Sequence, residues 1–187
     1  MALNLITRQE YKTYAGIKST NEDAIIDSLI PRVSQLVKNY CRRSFVDYMD
    51  FDKVEVFNGG FDKIILAETP VVSIASVQLS ADYGQTYTNL VEYTDWVLDK
   101  DCIVSIAGNF KEFIKGYKVT YRAGYDDVPP DLALAVMDLV TYYRRNDSAI
   151  HSPKAPGSNA VQIEYITTTS LPAHIKRVLD QYVADYA

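Results

Sequence analysis

Apolar residues recur at Ile26, Leu29, Ile30, Val33, Leu36, Val37, Tyr40 and Cys41. That is the 3.6-residue period of a helix with one apolar face. Ahead of it, Thr7-x-x-Glu10 has the form of a capping box and predicts a short helix ending near Gly16. Ser19-x-x-Glu22 repeats the form and predicts the start of the longer helix. Pro31 lies inside the pattern and removes a backbone donor, so a kink or a break is expected there. Helical periodicity returns after Val128-Pro129-Pro130-Asp131, with Leu132, Val136, Leu139, Val140 and Tyr143 on one face. It returns again after Leu171-Pro172, with Ile175, Val178, Leu179, Tyr182, Val183 and Tyr186.

The middle of the chain has a different period. Phe51 to Phe57 alternates, and Asn58-Gly59-Gly60 supplies a turn. Lys63 to Leu66, Val71 to Leu79 and Tyr117 to Tyr121 read as strands. Trp96 to Leu98 and Cys102 to Ile106 flank Asp99-Lys100-Asp101 as a hairpin. Five or six short strands imply a small, mostly antiparallel sheet. Ser148 to Asn159 reads as an exposed loop, and Val161 to Ile166 as β-like.

The expected fold is α+β. N- and C-terminal helices, over about 8–43, 130–145 and 171–186, form a bundle. A β-rich antiparallel insertion occupies about 51–125. Each helix has an apolar stripe to bury, so residues 1–187 are expected to form one domain. The expected core positions are Leu29, Val33, Leu36, Tyr40, Leu132, Val136, Leu139 and Leu179.

Composition narrows the function. Apolar residues make up 48% and charged residues 23%, a globular profile. No stretch approaches the roughly 20 apolar residues that span a bilayer, so no membrane role is expected. Met1 to Arg8 lacks a basic start followed by a long apolar run, and no secretory signal is expected. The formal net charge is −5, which argues against a general nucleic-acid binder. Cys41 and Cys102 are far apart and match no metal or disulfide pattern, which fits a reducing compartment.

Candidate chemistry is thin. His151-Ser152 and His174 lack the nucleophile–base–orienter set that nucleophilic catalysis needs. Asp99, Asp101 and Cys102 cluster, as do Asp126 and Asp127, but neither group has the spacing of a zinc or calcium site. Turn aspartates explain both. No catalytic, metal or cofactor site is expected. Lys38, Arg42, Arg43, Arg144 and Arg145 could meet DNA phosphate, but they also suit helix C-termini. The 15 tyrosines suit interfaces, being large, stiff and polar at the tip.

Four elements in order resemble the head–tail connector, or head-completion adaptor, proteins of long-tailed DNA bacteriophages. They are Tyr40-Cys41-Arg42-Arg43-Ser44-Phe45, then Leu66-Ala67-Glu68-Thr69-Pro70-Val71, then Val119 through Tyr121-Arg122-Ala123-Gly124-Tyr125 to Leu132, and lastly Leu171-Pro172 through Tyr182. The resemblance implies a structural virion protein at the head–tail interface, made in the host bacterial cytoplasm. It implies a ring of copies, usually twelve, under the portal protein, with a stopper or tail-completion protein below. Genomic DNA would pass through the channel without specific binding. Tyr182, Val183 and Tyr186 are the expected partner-binding residues. The alternative reading is a cytoplasmic, non-enzymatic binding or regulatory module.

Overall fold

A computed structural model describes residues 3–146 and 171–184 of the 187-residue chain. The expected loop Ser148–Asn159 and strand Val161–Ile166 lie outside the described residues. The architecture is α+β, and the chain divides into two compact units. The helical unit spans residues 4–41 and 129–183. The β unit is built mainly from residues 42–128.

In the helical unit, α1 covers Arg8–Ala15. Thr7 Oγ1 accepts from the Glu10 amide at 3.2 Å, and a Glu10 carboxylate oxygen accepts from the Thr7 amide at 2.6 Å. This is the predicted capping box. Gly16 closes the helix at φ 66°, where a side chain would be strained.

The longer helix, α2, covers Asp23–Cys41 and runs unbroken through an exposed Pro31. The second predicted capping box does not form. Ser19 Oγ instead accepts from the Asn21 amide at 3.1 Å, and Glu22 pairs with Arg144 at 2.9 Å.

The buried face of α2 is also rotated from the apolar stripe. Ile26, Ile30, Val33, Val37 and Cys41 are buried, but so are Ser34 and Lys38 on one flank. Leu29, Leu36 and Tyr40, expected in the core, are only half-buried on the other flank. Ser34 Oγ accepts from the Leu5 amide at 3.0 Å in a buried position, which holds the polar flank inward.

Helix α3 covers Pro130–Asn146, with Leu132, Val136 and Leu139 fully buried. It packs on both α2 and α4. Helix α4 covers only Ala173–Leu179, followed by a 3-10 turn at Asp180–Tyr182. The expected helix to residue 186 therefore stops early. Tyr40 donates its hydroxyl to Asp180, and Tyr182 donates to Asp131 at 2.6 Å. Val183 is extended, at φ −62° and ψ 128°.

Among the described residues, the β unit holds seven strands in two antiparallel sheets, where one sheet was expected. They are β1 (Lys53–Phe57), β2 (Lys63–Ile65), β3 (Val71–Leu79), β4 (Thr88–Asn89), β5 (Trp96–Asp99), β6 (Cys102–Ser105) and β7 (Tyr117–Ala123). One sheet has the order β1-β7-β3-β4 and the other β2-β6-β5. The register aligns Val56 with Lys118 and Val77 with Val119. Ile64, Trp96 and Ile103 from the smaller sheet share a core with Val77, Val119 and Tyr121 from the larger. A short-range pattern does not reveal this division, because it depends on pairings such as β1 with β7, far apart in sequence.

Candidate functional site

Three of the sequence elements converge inside the β unit. The segment after α2 brings in Phe45, which is buried at φ 63°. Its carbonyl accepts from the Tyr125 amide at 2.7 Å. The carbonyl of Pro70, which follows a cis Thr69–Pro70 peptide, accepts from the Gly124 amide at 2.9 Å. The Ala123 amide donates to the Tyr48 carbonyl at 3.1 Å. Main chain is thus tied to main chain, so the tight approach depends on a glycine at 124.

A polar cluster fastens the same junction from the inner face of the larger sheet. Buried Glu68 accepts from the amide and the hydroxyl of Ser44, each at 2.8 Å. Lys53 Nζ lies 3.3 Å from Glu68 and 3.2 Å from Glu55. Tyr121, fully buried, donates to Glu55 at 2.5 Å and accepts from the Glu68 amide at 3.1 Å. Burial, then the bond to Glu55, pushes the Tyr121 hydroxyl pKa well above its ordinary value. Burial opposes the charge on Lys53, but Glu68 and Glu55 outweigh it and raise the ammonium pKa. The arrangement holds a lysine cation between two carboxylates. Its groups are bonded to one another and to the main chain, which suits a fastening better than a catalytic centre.

The outward surfaces of the β unit expose several large apolar side chains. Val54 and Val56 point outward from the edge strand β1, beside an exposed Phe51. A separate groove of about 610 Å³ is rimmed by exposed Phe61, Tyr83 and Ile114. The Tyr83 loop is tightly built: Asp82 accepts from Ser80 Oγ, Thr86 Oγ1 and the Gln85 and Thr86 amides. Those bonds, the one from Ser80 first, hold the Asp82 carboxyl far below the usual carboxylate range. Such surfaces are what a protein that docks onto others presents.

The sequence profile of a family described as head completion protein matches residues 4–184. The chain belongs to that family. No curated protein matches it by sequence. By fold, this head completion family member is similar to a chain in the neck of an empty gene transfer agent particle solved with C6 symmetry. The TM-score is 0.62 at 16% identity, over 98% of this chain and 91% of the other. A chain in the virion of a native gene transfer agent particle gives 0.63 at 15% identity, over 98% and 91%. A chain in the neck of a native particle solved with C12 symmetry gives 0.59 at 16% identity, over 100% and 97%. At these identities the likeness shows the fold.

Tyr182 and Val183, two of the expected partner-binding residues, are half-buried. Tyr186 lies outside the described residues. His174 is exposed, and His151 lies outside the described residues. Asp101 is a turn residue whose carboxylate accepts from the Val71 amide at 2.9 Å. Among the described residues, no group of His, Cys, Asp and Glu is placed to hold a metal ion. Among them, too, no helix is long and apolar enough to cross a membrane.

The head completion motifs were legible as strings, but the side chains that join them were not. Glu55, Lys53 and Ser44 were missed. A β1 strand with Lys53 and Glu55 on alternate, inward positions was the available signal.

Proposed function

We propose that this chain is a structural adaptor in the neck of a tailed, phage-like particle. In this reading it is not an enzyme. Copies form a ring, of twelve in the virion, between the portal protein and a stopper or tail-completion protein. The ring extends the channel through which genomic DNA passes without specific binding. The family match over residues 4–184 carries the reading. The similar folds in necks of gene transfer agent particles support it.

Within this reading, residues 1–187 act as one connector domain. The terminal helices form its bundle, and the β unit is its inserted platform. Tyr182, Val183 and Tyr186 are proposed contacts for the portal side. Their apolar and aromatic character supports this.

Deleting the gene and imaging the particles tests the proposal. Filled heads without tails are expected, with tails restored by supplying the protein. Normal tailed particles that lack the protein would overturn it.

A further inference from the structure

Two different apolar faces of the chain are open to solvent. On α2, Ile25, Leu29, Arg32 and Leu36 follow one another at spacings of four, three and four, and so share one stripe. Ile25 is exposed, and Leu29 and Leu36 are left half-open by the rotation of the helix. Beside the stripe lies a groove of about 570 Å³ lined by Pro31, Arg32, Gln35, Leu36 and Asn39. Arg32 is the one ionised side chain of stripe and groove. It makes no hydrogen bond or ion pair among the described residues. The solvated face of a helix is ordinarily charged. Interface cores, by contrast, are poor in Lys, Glu and Asp and rich in Arg.

The second face is on the β unit. Phe51 is 67% exposed and Val54 57%, with Val56 beside them. Asp50 and Asp52 flank Phe51. Asp52 pairs with Arg122 at 2.8 Å. Asp50 is exposed and makes no hydrogen bond among the described residues, although its charge acts on Arg122.

We propose that these faces meet between neighbouring copies of the chain, with Phe51 seated in the α2 groove and Asp50 against Arg32. The proposal rests on the neck-ring reading above. Two arguments select a second copy as the occupant. The contact pairs opposite charges, Arg32 within one apolar surface and Asp50 beside the other, with Arg122 of the β face already engaged by Asp52. They are also different surfaces of one chain, so their contact is head-to-tail, the kind that closes into a ring. An aromatic anchor entering a pocket beside an arginine has the makeup of a binding hot spot.

A charge exchange tests this in particles assembled with the full-length protein. Arg32→Asp and Asp50→Arg are made singly and together, and folding of each variant is checked by circular dichroism. The readout is the number of copies per purified particle. Each single variant should fall about tenfold, and the double variant should return towards the wild-type level. Single variants that are incorporated normally would overturn the interface. Single losses without recovery in the double variant would show that another neck protein occupies these faces. Absence of the wild-type protein from particles would instead sink the neck reading, and the interface with it.

Discussion

The carbonyl oxygen of Phe45 lies 2.2 Å from where a β-carbon on Gly124 would sit. Gly124 is also at φ 117°, a conformation that L side chains rarely adopt. Any side chain there must push main chain away from main chain and break the bonds that join three segments of the β unit. Gly124→Ala is expected to cost about 2–4 kcal/mol, from backbone strain and overpacking together. Chemical denaturation gives the answer directly. An unchanged midpoint would mean that the junction yields easily.

The polar cluster and the surface ion pair should respond very differently to truncation. Glu68 is buried and serves both Ser44 and Lys53, so Glu68→Ala takes the acceptor from the part-buried Ser44 amide and hydroxyl and one of its two carboxylates from Lys53. A loss of about 2–4 kcal/mol is expected. The side chains of Arg122 and Asp52 are 48% and 44% exposed, and Arg122→Ala should cost under about 1 kcal/mol. Equal losses in the two variants would contradict this ranking.

Alkaline pH should weaken the β unit. Tyr121 has its folded pKa raised, chiefly by burial. Its contribution is complete below the unfolded tyrosine value of about 10 and is lost as pH rises towards the folded value. Lys53, also raised, acts in the same direction. Stability should therefore decline above about pH 10. Tyr121→Phe should be less stable at neutral pH by about 1 kcal/mol, yet show a shallower alkaline decline. Parallel pH profiles for the two proteins would count against this assignment.

How much the sequence disclosed depended on how local each cause was. The Thr7–Glu10 capping box spans one helical turn and was readable. Ser19–Glu22 has the same letters, but Glu22 is engaged by Arg144, 122 residues away. The stripe on α2 was readable as a helix, yet its inward direction was not. A single bond from the Leu5 amide to Ser34 helps decide which flank is buried. The end of α4 was misplaced for a similar reason. Asp180 and Tyr182 answer to Tyr40 and Asp131 on other helices, while the apolar period continues in sequence regardless. The junction motifs were recognisable as strings. Their meaning lay in the meeting of residues 45, 70 and 124, which only the fold brings about.

Leu139 and Leu179 are both fully buried in the helical unit, on helices that pack together. Truncation of either removes methyl groups whose space the rigid helices cannot fill. Leu139→Ala and Leu179→Ala should each cost about 2–5 kcal/mol. A midpoint unmoved at either position, measured by thermal or urea unfolding, would show that this part of the helical unit is loosely packed.

The isolated protein should not bind duplex DNA at moderate salt. Between Arg42 and Val128 lie nine basic and fourteen acidic side chains, so the β unit accounts for a net charge as large as that of the whole chain. Two of the basic residues that might have offset this are withdrawn from the surface or already paired. Lys38 is only 6% exposed. Arg144 pairs with Glu22 and lies 6.0 Å from the centre of the Tyr11 ring. A net negative surface gains little from releasing counterions from DNA, and release is what drives non-specific binding. Repulsion by the β unit reaches across about 8 Å, the Debye length at physiological salt. In a neck ring, weak contact of this kind would let DNA slide past. A gel-shift titration with a duplex should show no complex up to micromolar protein. Micromolar binding with a steep salt dependence would instead reveal a cationic surface and a role in gripping DNA.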